Sequence, residues 1–299
     1  MFAPPHEQLS VLRCAREARF GREQWSRILE GLDLDAAECL SDKPWGTVWR
    51  VTADLPTGPT PLVMKVHVLR SPRDRIRSSL HLSRLRRQWR GAARLSRAGF
   101  SVAKCRALLR GERDGQRFDV LVMDATPGKT LLDVLATESL PPARARLLSA
   151  EIGRLVSRLT NQRLHSKDLK PSNLLVGAPA AEGHPPLLTI LDSDAVGSPP
   201  LHAMLPLILE PIGLGVLPRR TVLWRVIKEW AWHEWLNGND DSGGEFAGSL
   251  EDSPRPIRIE IARRAWRRLE TLVRAHGDAR PTHNPIADPP TLAPSAVSG

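Results

Sequence analysis

Cysteine is scarce: Cys14, Cys39 and Cys105 are the three in 299 residues, and no two stand at a metal-ligand spacing. That argues against a disulfide-built scaffold and against a structural zinc site. The opening Met1-Phe2-Ala3-Pro4-Pro5-His6-Glu7 has neither a basic start nor an apolar core, so it does not read as a secretory leader. Long apolar runs are missing as well. The longest, Leu201 to Leu217, is interrupted by Pro206, Glu210 and Pro211 and is too short to cross a bilayer. No internal repeat is visible. The expectation is a soluble cytoplasmic protein, long enough for one two-lobed domain or two small ones.

Acid is missing from one long segment. Between Val66 and Ala98 there are ten arginines (70, 73, 75, 77, 84, 86, 87, 90, 94 and 97) and one acid, Asp74, so this segment carries ten minus one, or +9, of a chain whose formal charge is +10. Such a field attracts anionic partners such as phospholipid head groups, phosphorylated glycolipids or nucleic acid. A solvated arginine-rich helix face accounts for it equally well. Without aromatic residues interleaved, nucleic acid is the weakest of the partners. The expected contact is peripheral, between the 70–97 segment and an anionic membrane at its inner face.

Periodicity gives the organisation. Residues 7–31 carry helical spacing of apolar residues (Leu9, Leu12, Ala15, Phe20, Trp25, Ile28, Leu29) and predict a helix or two. Val48–Val51 and Leu62–Val66 predict paired strands around the turn Pro56-Thr57-Gly58-Pro59. A helix is expected from Ile76 to Ala98, stopped by Gly99. Strands follow at Cys105–Arg110 and Phe118–Met123 across Asp114-Gly115. After Thr126-Pro127-Gly128 the pattern turns helical: Leu131–Leu135, Pro142–Thr160, the tryptophan-rich Arg220–Leu236 and Ile257–Ala275, with a strand at Leu187–Leu191. Asn237 to Pro254 reads as an exposed loop, and the Pro/Ala-rich tail as disordered. The expected division is 1–39 as a helical extension, 40–125 as a small sheet-rich lobe with one helix, 126–275 as a mainly helical lobe, and 276–299 as the tail.

The most informative segment is His165-Ser166-Lys167-Asp168-Leu169-Lys170-Pro171-Ser172-Asn173, followed by Leu-Leu-Val. An aspartate stands two residues before a lysine and five before an asparagine. Phosphoryl transfer needs that grouping. A carboxylate accepts the proton of the acceptor hydroxyl, a cation steadies the migrating group, and an amide oxygen helps hold Mg²⁺. The segment resembles the catalytic loop H-R-D-L-K-x-x-N of protein-kinase-like enzymes. That resemblance implies an α+β fold with two lobes, ATP and Mg²⁺ as cofactors, Asp168 as the base and Lys170 on the transferred phosphate. It implies Asn173 and Asp192, the latter in Leu191-Asp192-Ser193-Asp194, as metal ligands, and Lys65 as the grip on the α- and β-phosphates. Gly46 would lie in the phosphate-covering loop, Gln88 would occupy the place of the helix glutamate that pairs with the lysine, and the backbone of Asp124 and Thr126 would meet the adenine edge. Asp194 reads as a cap or turn residue in preference to a second metal ligand.

The resemblance extends over about residues 40–236 to the lipopolysaccharide kinase family, which includes the heptose and Kdo kinases. Arg84 to Gly99 (R-L-R-R-Q-W-R-G-A-A-R-L-S-R-A-G) is similar to that family's R-x-E-W helix and A-G turn, and D-S-D is nearer its D-L-D than D-F-G. Leu217-Pro218-Arg219-Arg220-Thr221 and the tryptophan-rich helix are similar to its C-terminal region. Trp224, Trp230, Trp232 and Trp235 read as core and rim, with contact at a membrane interface as the other reading. The function implied is transfer of the γ-phosphoryl group of ATP to a hydroxyl of a sugar or glycolipid.

Three departures weaken that implication. Gln88 lacks the charge of a glutamate, a loss on the order of 1–2 kcal/mol in its bond to Lys65. The loop Ser41–Val48 keeps only Gly46, while Pro44 removes a backbone donor. Ser166 and Lys167 replace the His and Arg that prop the catalytic loop. A pseudokinase or regulatory binding module with a degraded nucleotide site is the alternative. A Ser/Thr protein kinase is a further one, disfavoured because the chain has no A-P-E anchor.

Overall fold

The computed structural model describes residues 10–14, 24–25, 27–28, 32, 36–80, 82–113, 115–137, 140–164, 166, 168–179, 181, 183–197, 203–214, 216, 219–236 and 254–276. The chain is α+β and divides into two compact units. Unit 1 comprises Met1–Pro127 with Thr189–Val196, and unit 2 comprises Gly128–Leu188 with Gly197–Gly299.

Unit 1 is built on a six-stranded antiparallel sheet. Its strands are β1 (Ser10–Cys14), β2 (Glu38–Lys43), β3 (Gly46–Leu55), β4 (Gly58–Val68), β5 (Cys105–Arg113) and β6 (Gln116–Asp124), in the order β1-β5-β6-β4-β3-β2. Two helices, α1 (Pro72–Ser79) and α2 (Arg84–Arg97), connect β4 to β5. The strand pattern follows from alternation. In β3 and β4, Trp49, Val51, Ala53, Leu55, Leu62, Met64 and Val66 face one way and pack with Ala107, Leu109, Phe118, Val120 and Val122 under Trp25, Ile28 and Leu32. The opposite face holds Leu85, Ala103, Leu108, Leu121 and Met123, with Val63, Trp89 and Leu191 packed against them. The sheet's centre is therefore covered on both sides, and β6 is buried through six consecutive residues. Lys65 alternates onto the second face, opposite Leu121 in the ladder.

Two expectations are corrected here. The helical reading of 7–31 meets strand β1 at Ser10–Cys14, which pairs with β5. Among the described residues, helical backbone occurs further on, at 24–25 and 27–28. A register shift between Val11 and Arg13 lets Val11 and Cys14 pack on one side of the sheet and Leu12 on the other. The single helix expected over Ile76–Ala98 is two. Ser71 caps α1 in a reciprocal box with Asp74, Pro72 takes its first turn, and a fresh start at Ser83 begins α2.

Unit 2 carries β7 (Lys129–Thr130), α3 (Leu131–Thr137), α4 (Pro142–Asn161), β8 (Leu174–Pro179), α5 (Leu205–Gly213), α6 (Arg220–Leu236) and α7 (Pro254–His276). β9 (Pro186–Ile190) starts there, beside β8. α4 and α6 approach so closely at Gly153 that a Cβ would lie 2.8 Å from the Val226 carbonyl oxygen and from the Trp230 nitrogen. The tryptophans of α6 serve this unit's own packing. Trp230 is buried, Trp224 meets Trp266 of α7 at 5.8 Å, and Trp232 stacks on Trp235 at 5.1 Å with the Arg258 guanidinium over it. Among the described residues, no helix is long and apolar enough to cross a membrane. The expected loop over 237–253 and the tail beyond 276 lie outside the described residues.

Candidate functional site

The candidate residues fall into two groups, one in each unit. In unit 1, Lys65 leaves the middle of β4 and its Nζ stands 3.6 Å from Asp192 Oδ2, with both side chains mostly covered. Asp192 is carried by the segment after β9, and that segment is fastened to α2 at three points. Gln88 Nε2 donates to the Leu191 carbonyl at 3.0 Å, Ser193 Oγ donates to the Gln88 carbonyl at 2.8 Å, and Gly91 lets the Ser193 carbonyl lie against the helix backbone. A Cβ at position 91 would fall 1.9 Å from that oxygen.

This changes the role of Gln88. It is buried at 1 % exposure on the inner face of α2, as its spacing predicts, but among the described residues it makes no bond to Lys65. Its amide holds Leu191 and touches Met123 Sδ at 3.6 Å. The charged partners of the Asp192 segment are arginines that sequence reasoning did not single out. Arg84 reaches Asp192 at 3.5 Å and Asp194 at 2.9 Å, and Arg87 reaches Asp194 at 3.8 Å. Their three-residue spacing at the start of a helix, set against two aspartates two apart, is the signal that could have found them. Asp194 also bonds back through its N–H to Asp192 Oδ1, a turn role as expected.

Gly46 stands at the base of the two-residue turn Pro44-Trp45, in a hairpin that pairs Lys43 with Gly46. A Cβ there would meet the Val66 carbonyl oxygen, so close strand packing alone demands glycine. Asp124 closes β6 with its side chain paired bidentately to Arg106, at 2.6 and 2.9 Å, and with its N–H bonded to the Lys104 carbonyl. Its side chain and its N–H are thus both engaged within unit 1. Thr126 makes no hydrogen bond among the described residues. Cys105, near Lys65, has its thiol pushed up to about 12 by burial, which keeps it unreactive.

In unit 2, the catalytic-loop segment forms a tight turn. Lys170 N–H donates to the Asp168 carbonyl, and Asn173 Nδ2 donates to the same oxygen at 2.9 Å. The asparagine amide is thereby oriented with its oxygen turned away from that bond. Lys170 Nζ lies 3.8 Å from Asp168 Oδ1, and both side chains keep solvent access. The prop thought lost at Ser166 is replaced: Ser166 is buried, and its Oγ accepts the Asp168 N–H at 3.1 Å. A further anchor was not foreseen. Glu210 of α5 accepts from Ser172 N–H at 2.8 Å and from Ser172 Oγ at 2.6 Å. His165 and Lys167 lie outside the described residues.

Among the described residues, no three His, Cys, Asp or Glu side chains group as a metal site. Each unit by itself offers one hard oxygen group of the kind Mg²⁺ prefers, the Asp192 carboxylate in unit 1 and the Asn173 side-chain amide oxygen in unit 2. Compared with known proteins, the chain matches no family model and no curated sequence.

Proposed function

We propose that the chain is an ATP-dependent phosphotransferase of the bilobal protein-kinase type, acting on a hydroxyl of a sugar or glycolipid, as the resemblance to lipopolysaccharide kinases implies. The observation that carries this reading is the Lys65–Asp192 pair in unit 1. A lysine from a central strand and an aspartate from the D-S-D turn, far apart in sequence, are brought within ion-pair distance. The ordered Asp168–Lys170–Asn173 turn of unit 2 supports it. In this reading Lys65 holds the α- and β-phosphates, and Asp192 and Asn173 hold Mg²⁺, which supplies charge neutralisation at the phosphates. Asp168 accepts the proton of the acceptor hydroxyl, and Lys170 steadies the transferred group. The Asp124 carbonyl and Thr126 would meet the adenine, and Gly46 would sit under the covering hairpin. The protein would work in the cytoplasm, at the inner face of a membrane drawn to the 70–97 arginines.

A second reading, a regulatory module with a disabled nucleotide site, is favoured by the arginine pairing. Arg84 occupies the same Asp192 oxygen that Lys65 approaches, where a metal would have to compete.

Calorimetry of ATP with and without Mg²⁺, on the wild type and on Lys65→Met and Asp192→Asn, separates the two. Mg²⁺-dependent binding lost in both variants supports the phosphotransferase. No binding at millimolar ATP supports the module.

A further inference from the structure

Away from Lys65 and Asp192, unit 1 covers most of an arginine that has no direct ion pair among the described residues. Arg86, on the first turn of α2, is 6 % exposed, yet it makes no hydrogen bond or ion pair among the described residues, and its Nε is sealed from solvent. Ser83, the N-cap of the same helix, is also buried, and its Oγ is unpartnered instead of capping the helix. A buried guanidinium without a counter-charge is unfavourable, and a helix start with an unused cap presents N–H groups that favour an anion.

The surroundings add more positive charge. Arg90 is four residues further along α2, on the same side as Arg86. Arg13 of β1 stands opposite Leu108 in the ladder, and Leu108 packs on the α2 face of the sheet. Arg110 lies two residues beyond Leu108 and so shares that face. Among the described residues, the carboxylate that acts on Arg86 is Asp119, fully buried and already engaged by Arg110 Nε at 3.0 Å and Ser78 Oγ at 3.2 Å. Arg110 also bonds Ser78. Burial and the fields of Arg110, Arg13 and Arg90 hold the Arg86 guanidinium's proton affinity below its ordinary value, with Asp119 opposing.

We propose that Arg86, with Arg13, Arg90 and the N-terminal turn of α2, binds a phosphate-type oxyanion at the β1–β5 end of the unit 1 sheet. Guanidinium forks match phosphate oxygens bidentately, and the partial burial of Arg86 strengthens each bond it makes. The anion is either a free phosphate or the phosphomonoester of a lipid head group. The Arg84 and Arg87 side chains, committed to Asp192 and Asp194, take no part.

The test uses the full chain at low ionic strength, without nucleotide or Mg²⁺, so its outcome is independent of the phosphotransferase reading. Inorganic phosphate is titrated by calorimetry into the wild type, Arg86→Met and the surface control Arg146→Gln, an exposed position in the other unit. Binding by the wild type and Arg146→Gln, weakened roughly ten- to a hundredfold in Arg86→Met, supports the site. Thermal melts cover a folding defect. Phosphate raises the wild-type Tm, while Arg86→Met melts higher than the wild type without phosphate and does not respond to it. Sedimentation with phosphatidylcholine vesicles, with and without phosphatidic acid, names the source. Capture that Arg86→Met abolishes assigns a lipid head group, and phosphate binding without capture assigns a soluble phosphate. An equal response of the wild type and Arg86→Met in every arm, or no response of the wild type in any, overturns the proposal.

Discussion

Gly91→Ala puts one methyl group where the structure has no room for it. The added Cβ would lie 1.9 Å from the Ser193 carbonyl oxygen and 2.9 Å from its carbon. Real Cβ atoms essentially never come within 3.0 Å of another heavy atom, so that oxygen must retreat by at least about 1.1 Å, the difference between 3.0 and 1.9 Å. The atom is backbone and cannot swing aside as a flexible side chain would. The retreat draws on the two hydrogen bonds that fasten the segment, Gln88 to Leu191 and Ser193 to Gln88. Losing both, with the strain of overpacking, destabilises by about 2–4 kcal/mol, against a helix-propensity gain of about 1 kcal/mol for replacing glycine by alanine. Urea unfolding followed by circular dichroism should therefore show a net loss of about 1–3 kcal/mol at unchanged m-value. Asp192 moves with its segment, and if it holds Mg²⁺ as proposed, Mg²⁺-dependent ATP binding should weaken as well. A variant as stable as the wild type, or more stable, would refute the account of the Asp192 segment given above.

Three other substitutions test separate points. Gln88→Glu, which restores the residue expected from the kinase pattern, should lower Tm instead of improving nucleotide binding, because a carboxylate there would face the Leu191 carbonyl in place of an amide donor. A raised Tm with tighter Mg²⁺–ATP binding would mean that Lys65 turns to meet it. Ser172→Ala removes both a hydroxyl and its charge-assisted bond to Glu210, and urea unfolding should register a loss of about 1–3 kcal/mol. His67 is held below its ordinary value of 6.5, first by burial and then by Arg84. The unfolded chain takes up its proton first, so stability falls as pH drops below about 6.5 and the His67 contribution is flat above it. His67→Gln should remove that part of the slope in Tm measured from pH 7.5 to 5.5.

The sheet was legible because its strands alternate cleanly and its turns carry Pro, Gly and Asp. The hairpins around Pro56 and Gly115 fall where the pattern puts them. β1 was not legible. Leu9, Leu12 and Ala15 fit a helix as well as a strand, and what decides between them is the open edge of β5, which local spacing does not contain. The start of α1 was written in Ser71-Pro72-Arg73-Asp74, a capping signature lost against the arginines around it, while the break before α2 has only Ser83 to mark it. At the candidate site, chain order showed which residues belong together. It did not show that Gln88 would hold backbone and that Arg84 would take the aspartates, because those pairings depend on which way α2 is rotated over the segment after β9.

The clasp between α2 and the Asp192 segment joins Gln88 to Leu191 and Ser193. Gly128–Leu188, part of the other unit, lies between them in the chain. On a ribosome, β1 to β6 emerge early, while the strip that completes their unit is still unmade. It arrives only after more than sixty further residues have been added, and at about 5–20 residues per second that is a delay of some seconds. Throughout that interval the inner face of α2, with Gly91 bare, waits for its own chain to return.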